Sequence, residues 1–197
     1  MAATRQSSQG HHLFRAGHVI LLSVGTQLPF DRLVKAVDEW AVQCGRRDIF
    51  AQIGPSDYQA QALNSFAFLD QAAFAALQAE ASLMVSHAGM GSIITALELG
   101  KPIIILARDH RRGEHRNGHQ IATLKQFRSY PGVFIADDEE HLVALLDRAD
   151  SLAASPQLST KAPREFLQKL EEFVEQPDRP RRLSRLRTLL GRSGGQI

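Results

Sequence analysis

The stretch His18-Val19-Ile20-Leu21-Leu22-Ser23-Val24, closed by Gly25-Thr26, decides the fold. Its apolar residues run on without the polar alternation of a half-exposed strand. Such a run reads as a strand buried on both faces, as in a parallel sheet. From Phe30 to Cys44 the pattern changes: Phe30, Leu33, Val34, Val37, Trp40 and Ala41 recur at helical spacing, and Asp31 suits the positive end of a helix dipole. The alternation then repeats. Strands are predicted at 48–53, 65–69, 82–86, 102–107 and 133–136, and helices at 71–78, 91–99, 119–127 and 139–149. Strands alternating with helices imply right-handed βα units and a doubly wound, Rossmann-like parallel sheet of the α/β class. No internal repeat or low-complexity array interrupts it.

With 197 residues, 44% hydrophobic and 22% charged, the chain fits one globular domain with extra chain at its ends. Residues 1–17 are polar and aperiodic and read as a disordered leader. Residues 151–163 resemble a linker, and Phe166, Leu167, Leu170, Phe173 and Val174 return to helical spacing up to residue 176. Residues 177–197 form a basic tail, with six arginines against Asp178. The net charge of +2 therefore comes from the tail, which would suit a polyanion or an anionic membrane face. Cys44 is the single cysteine, so the chain can build neither a disulfide framework nor a cysteine zinc site; this fits a reducing cytoplasm. The longest apolar run is far below the roughly 20 residues of a membrane span.

In an open α/β sheet, ligands bind at the carboxyl ends of the strands, and three loops there have unusual chemistry. Gly25-Thr26-Gln27 follows the first strand. It fits a plain turn, and it also fits a loop whose glycine lets a ligand approach the backbone while Thr26 and Gln27 offer hydrogen bonds. Ser86-His87-Ala88-Gly89-Met90-Gly91-Ser92 joins a buried strand to a helix. Unpaired N–H groups at the helix start and the helix dipole favour an anion such as a diphosphate, and Ser92 can cap the helix or contact a phosphate oxygen. The same residues fit a capped helix with a core-facing His87. The loop has neither the lysine of a P-loop nor the G-x-G-x-x-G pattern. The third loop, Arg108 to Gln120, reads RDHRRGEHRNGHQ. It is either a solvated loop or a set of polar groups converging on a ligand. His110, His115 and His119 do not define a metal set by spacing, and the arginines around them disfavour a dication, so no metal is expected.

VSHAGMGSIITALELGKPIIILAR followed by GEHRNGHQ closely resembles the C-terminal domain of the family 28 glycosyltransferases, and SVGTQLPFDRLVKAVDEWA resembles the first strand, loop and helix of that domain. The resemblance spans roughly Val19 to Ala149. It is nearest to the short, free-standing subgroup, which includes the soluble catalytic subunit of the dolichol-linked N-acetylglucosaminyltransferase and bacterial exopolysaccharide glycosyltransferase subunits. It implies that residues 18–150 form the donor-binding half of a GT-B architecture, holding a UDP-sugar for inverting transfer to a lipid-linked saccharide acceptor, without a metal or other cofactor.

Carried onto this sequence, the resemblance makes Gly25, Thr26 and Gln27 face the diphosphate side of the cleft. His87, Gly89, Met90, Gly91 and Ser92 would cradle the diphosphate. Glu114, Asn117, His119 and Gln120 would lie at the donor sugar. Larger family members place a ribose-binding glutamate where this chain has Thr95, and Glu98, one turn on, is the candidate to replace it. His87 and Glu114 are the candidates for general base, although in such enzymes the acceptor half often supplies it. The implied partner is a membrane-anchored, acceptor-binding subunit that holds the chain at the cytoplasmic face; no nucleic-acid partner is expected. A non-catalytic nucleotide-sugar-binding regulatory module on the same fold is the alternative.

Overall fold

The computed structural model describes residues 19–116 and 119–154. Contacts divide the chain into residues 1–158 and 159–197, and every described residue lies in the first unit. The expected leader, most of the linker, the helix before residue 176 and the basic tail lie outside the described residues.

Six parallel strands form one sheet: β1 (Ile20–Ser23), β2 (Ile49–Gln52), β3 (Asn64–Phe66), β4 (Leu83–His87), β5 (Ile103–Leu106) and β6 (Val133–Ala136), in the order β3-β2-β1-β4-β5-β6. The helices between them are α1 (Asp31–Cys44), α2 (Gln71–Glu80), α3 (Met90–Glu98), α4 (His119–Phe127) and α5 (Glu139–Leu146). The apolar runs fix this arrangement. Alternate residues of one strand enter different cores: Ile20, Leu22 and Val24 pack with α1 and α5, while Leu21 packs with α3 and α4. A strand feeding two cores has no polar face to show, which is why β1, β4 and β5 read as unbroken hydrophobic sequence. The doubly wound parallel sheet expected from the sequence is present.

Local chemistry sets the ends of the elements. Gly45 closes α1 at φ 66°, its N–H reaching the carbonyls of Ala41 and Val42. The side chains of Asp70 and Asp138 cap α2 and α5 by accepting from the N–H groups of Ala73 and His141. Most boundaries differ from the sequence expectation by one or two residues, and two differ by three. β3 is three residues long and starts at Asn64, because beyond Phe66 the chain turns off the edge and the Leu69 N–H is taken by Gln52 Oε1. The last predicted helix stops at Leu146, and a short 3-10 turn at Ala149–Ser151 follows it.

The strand order places the topological switch between β1 and β4. The chain moves outward through β2 and β3 on one side of β1, then returns to build β4, β5 and β6 on the other. At such a point the two neighbouring connections leave the sheet in opposite directions and open a crevice beyond the strand ends.

Candidate functional site

That crevice is a cleft of about 300 Å³ lined by Val24, Gly25, Thr26, Gln27, Leu28, His87, Arg108, His115 and Gln120. Its walls are the β1–α1 loop, the end of β4, and the β5–α4 loop with the start of α4.

The β1–α1 loop is an array of donors. The N–H groups of Gly25, Thr26, Gln27 and Leu28 bond to no acceptor among the described residues, and all four residues line the cleft. The carbonyls at the two ends of the segment are occupied: Val24 and Leu28 accept from Arg108 Nη2 at 2.6 and 2.7 Å, and Pro29 accepts from Nη1. Four N–H groups without an acceptor among the described residues, on residues that line the cleft, beside three carbonyls drawn to Arg108, can make a surface of positive partial charge.

His87 ends β4, and its ring lies between two glycines. A Cβ at Gly25, whose φ is +81°, would stand 3.0 Å from His87 Cε1, and a Cβ at Gly89 would stand 2.3 Å from Nε2. Both glycines are thus required by the close approach of the ring, and Gly25 by its left-handed backbone as well. Ser86 Oγ donates to Ser23 O at 2.8 Å and ties the ends of β1 and β4 together across the switch point. Burial first, and then the Arg108 cation, push the His87 pKa down to about 4, against the Ser23 carbonyl, which pulls it up. The imidazole is therefore neutral at neutral pH.

The sign of this shift gives a testable pH dependence. In the unfolded chain His87 takes up a proton below about 6.5, whereas the folded chain resists until about 4. The native state thus has its full advantage above the unfolded value and loses it as pH falls toward 4. Chemical denaturation at pH 7 and pH 4.5 is expected to show wild type losing 1–3 kcal/mol (order of magnitude) more than His87→Gln.

Gly89 is the N-cap of α3 and makes no side-chain cap bond, so the first-turn N–H groups of Met90, Gly91 and Ser92 keep no capping partner. Ser92 sits inside the first turn and does not cap the helix, which corrects the capping role considered for it. Met90 and Gly91 are exposed and Ser92 is half-buried. Thr95 is half-buried one turn on, and Glu98 is exposed on the face that carries Gly91 and Ile94; it lies roughly 10 Å along the helix from Gly91 at 1.5 Å per residue. Neither lines the cleft, and nor do Gly89, Met90, Gly91 and Ser92, so that of the expected α3-side residues only His87 does.

The third wall holds Gln120, expected from the sequence, and Arg108, which sequence reasoning did not single out. Arg108, only 3% exposed, bonds to three loop carbonyls and to the Glu114 carbonyl at 3.3 Å, and stacks 4.8 Å from the Phe30 ring. Burial holds its pKa below the ordinary arginine value, while Glu114 opposes that shift; a guanidinium nevertheless stays charged. Its backbone N–H donates to Gln120 Oε1 at 3.0 Å. This bond fixes the Gln120 amide so that its NH2 is the end left to donate into the cleft.

Glu114 is placed differently from the sequence expectation. Its carboxylate is clasped by Arg32 Nε and Nη2, both at 2.8 Å, and accepts from the Asp109 N–H at 2.7 Å. Burial raises its pKa, but the Arg32 fork, the Asp109 N–H and the nearby cations outweigh that and hold it below the usual carboxylate range. Arg32 also reaches Glu139 and the Ala107 carbonyl. The Glu114 side chain thus joins α1 to the β5–α4 loop and is absent from the cleft lining. Asn117 lies outside the described residues. So does the side chain of His119, the residue that opens α4. Among the described residues, no three His, Cys, Asp or Glu side chains gather as a metal-ligand set.

Residues 19–176 match the Glycosyltransferase family 28 C-terminal domain. The chain belongs to this family. No curated protein matches the sequence. Among solved structures, ALG13 superposes with a TM-score of 0.53 at 20% identity, covering 81% of this chain and 98% of that one. The glycotransferase of kitacinnamycin gives 0.52 at 20% identity, covering 75% and 39%, and a putative UDP-N-acetylglucosamine 2-epimerase from Listeria monocytogenes gives 0.53 at 14%, covering 89% and 51%. At these identities the likeness shows the fold. This family 28 chain thus corresponds in extent to ALG13 and to about half or less of the other two. Among its described residues no helix is long and apolar enough to cross a membrane.

Proposed function

We propose that this family 28 domain is the donor-binding catalytic subunit of an inverting glycosyltransferase that moves a sugar from a UDP-sugar to a lipid-linked saccharide in polysaccharide or glycolipid synthesis. The observation that carries the reading is the pairing, across the switch point, of four unbonded N–H groups at Gly25–Leu28 with the uncapped start of α3 at Met90–Ser92. Two such surfaces fit a diphosphate, whose negative charge grows as the sugar departs. Donors placed at developing charge lower the barrier without reorganising at the moment of reaction. This supports departure of UDP without a metal ion.

The remaining roles follow from the chemistry of each residue. Neutral His87 suits a hydrogen bond to the donor better than proton abstraction, because an imidazole with a pKa of about 4 is a weak base at neutral pH. Glu114 suits holding the loop, since both carboxylate oxygens are engaged. The general base for the acceptor hydroxyl is then expected from the facing half, which we assign to a separate, membrane-anchored, acceptor-binding subunit at the cytoplasmic face. We assign reading of the sugar to the Gln120 amide, with His119 and Asn117 nearby in sequence. Glu98 or Thr95 is left for the ribose.

Isothermal titration of the full chain with UDP is expected to show binding, and transfer from UDP-sugars to lipid-linked acceptors is expected only when the acceptor-binding subunit is co-expressed. UDP binding without transfer in that system would favour the regulatory-module reading, and no affinity for UDP or UDP-sugars would refute both.

A further inference from the structure

We infer that Arg108 is a positioning residue that gives the β1–α1 loop its affinity for anions, by clamping both ends of that loop through the carbonyls of Val24, Leu28 and Pro29 and so setting the course of the backbone between them. The inference rests on the donor-site reading above and adds a residue and a mechanism to it.

A loop of four residues has carbonyls as well as N–H groups, and nothing in a Gly-Thr-Gln-Leu sequence decides which of them face a cleft. In a trans peptide the two point in opposite directions, and none of the described peptide bonds is cis. Fixing a carbonyl therefore fixes the adjacent N–H. Arg108 Nη2 takes the Val24 carbonyl, so the Gly25 N–H is turned away from the guanidinium. The carbonyls of Leu28 and Pro29, whose peptides carry no N–H of residues 25–28, are held at the other end and anchor the course of the loop. Between these anchors the N–H groups of Gly25, Thr26, Gln27 and Leu28 have no acceptor among the described residues. The buried cation also offsets the negative ends of the carbonyl dipoles, so an approaching phosphate meets donors backed by positive charge.

Arginine is suited to this task and lysine is not. A planar guanidinium carries donors that diverge, and here they reach carbonyls at both ends of the loop and the Glu114 carbonyl at once. An ammonium is a compact point charge on a different stem. The Arg108 backbone is itself fixed by Gln120 Oε1. One residue thus couples the loop after β1 to the loop after β5 and the start of α4.

The test compares wild type, Arg108→Lys, Arg108→Met and the control Arg112→Met in the full chain. Arg112 is exposed, lies outside the cleft lining, and loses the same formal charge. UDP affinity is measured by titration at a temperature where each variant keeps its dispersed amide spectrum. Both Arg108 variants are expected to lose roughly tenfold or more in affinity while Arg112→Met stays near wild type. In the unliganded proteins, the carbonyl 13C shifts of Val24, Leu28 and Pro29 are expected to move in Arg108→Lys. A residue that merely stabilised the fold would lower the melting temperature and leave the affinity of the folded protein unchanged. Wild-type affinity in both Arg108 variants would overturn the inference. If Arg108→Met does not fold, Arg108→Lys decides on the same criteria. A wild type that does not bind UDP would refute the donor reading instead, and the 13C shifts would then judge the clamp alone: unchanged shifts overturn it.

Discussion

Gly91→Glu is expected to weaken UDP binding by roughly 30- to 150-fold while leaving the fold as stable as wild type or more so. A Cβ at Gly91 would meet nothing within 4 Å, so the new side chain fits without displacing a neighbour. Glycine is a poor helix former, and a carboxylate in the first turn gains from the helix dipole by about 0.3–1 kcal/mol. Stability should therefore hold or rise. A bound diphosphate would then stand beside a fixed negative charge. At about 5 Å and an effective dielectric constant near 20, reduced by salt, the repulsion is of order 2–3 kcal/mol, which is the stated range of affinity. Opposite signs in melting temperature and affinity would separate this effect from damage to the fold. Unchanged affinity in a well-folded Gly91→Glu protein would remove the α3 start from the donor site.

The second large effect concerns stability. Asp38 lies in the middle of α1 and is 1% exposed. Its carboxylate accepts from the N–H groups of Gln61, Ala62 and Leu63 and from the Tyr58 hydroxyl at 3.0 Å. Burial raises its pKa, but these donors outweigh burial and hold it below the usual carboxylate range. Burial and the same carboxylate push Tyr58 up to about 12. Asp38→Ala would leave three backbone donors and a hydroxyl facing an apolar void, and the expected cost is about 3–5 kcal/mol. Asp38→Asn keeps one acceptor oxygen and should cost less. Urea unfolding of the three proteins measures both; a loss below about 1 kcal/mol in Asp38→Ala would mean that the segment between β2 and β3 does not depend on this anchor.

Asp38 also illustrates what the sequence conceals. The helical spacing of Leu33, Val34, Val37, Trp40 and Ala41 marks the buried face of α1, and all five are buried. An aspartate among them reads as a surface residue, because its partners arrive from 20 to 25 positions later in the chain. The sheet itself was legible, since a strand between two cores must be apolar throughout. Two of the three cleft walls were legible for a related reason: glycine at a strand end marks a close approach, and Gly25 and Gly89 indeed enclose His87.

The third wall was not legible in the same way. In RDHRRGEHRNGHQ every polar residue has the same claim on the cleft, and spacing does not rank them. The ranking comes from partners far away: Arg32, 82 positions before Glu114, takes that carboxylate, and Val24, 84 positions before Arg108, receives its guanidinium. Glu114 therefore has a structural pair, while Arg108, which reads in sequence as one arginine of four, reaches the floor of the site. Ser92 failed as a cap for a simpler reason. The helix begins at Met90, so the capping position is Gly89, three residues before Ser92.

Amide spectra of the isotope-labelled full chain during titration with UDP test the central claim most directly. The account predicts saturable shifts concentrated at Gly25, Thr26, Gln27 and Leu28 and at Met90, Gly91 and Ser92, on the two sides of the β1–β4 switch point. Absence of binding, or shifts that spare both segments and fall elsewhere on the domain, would contradict it.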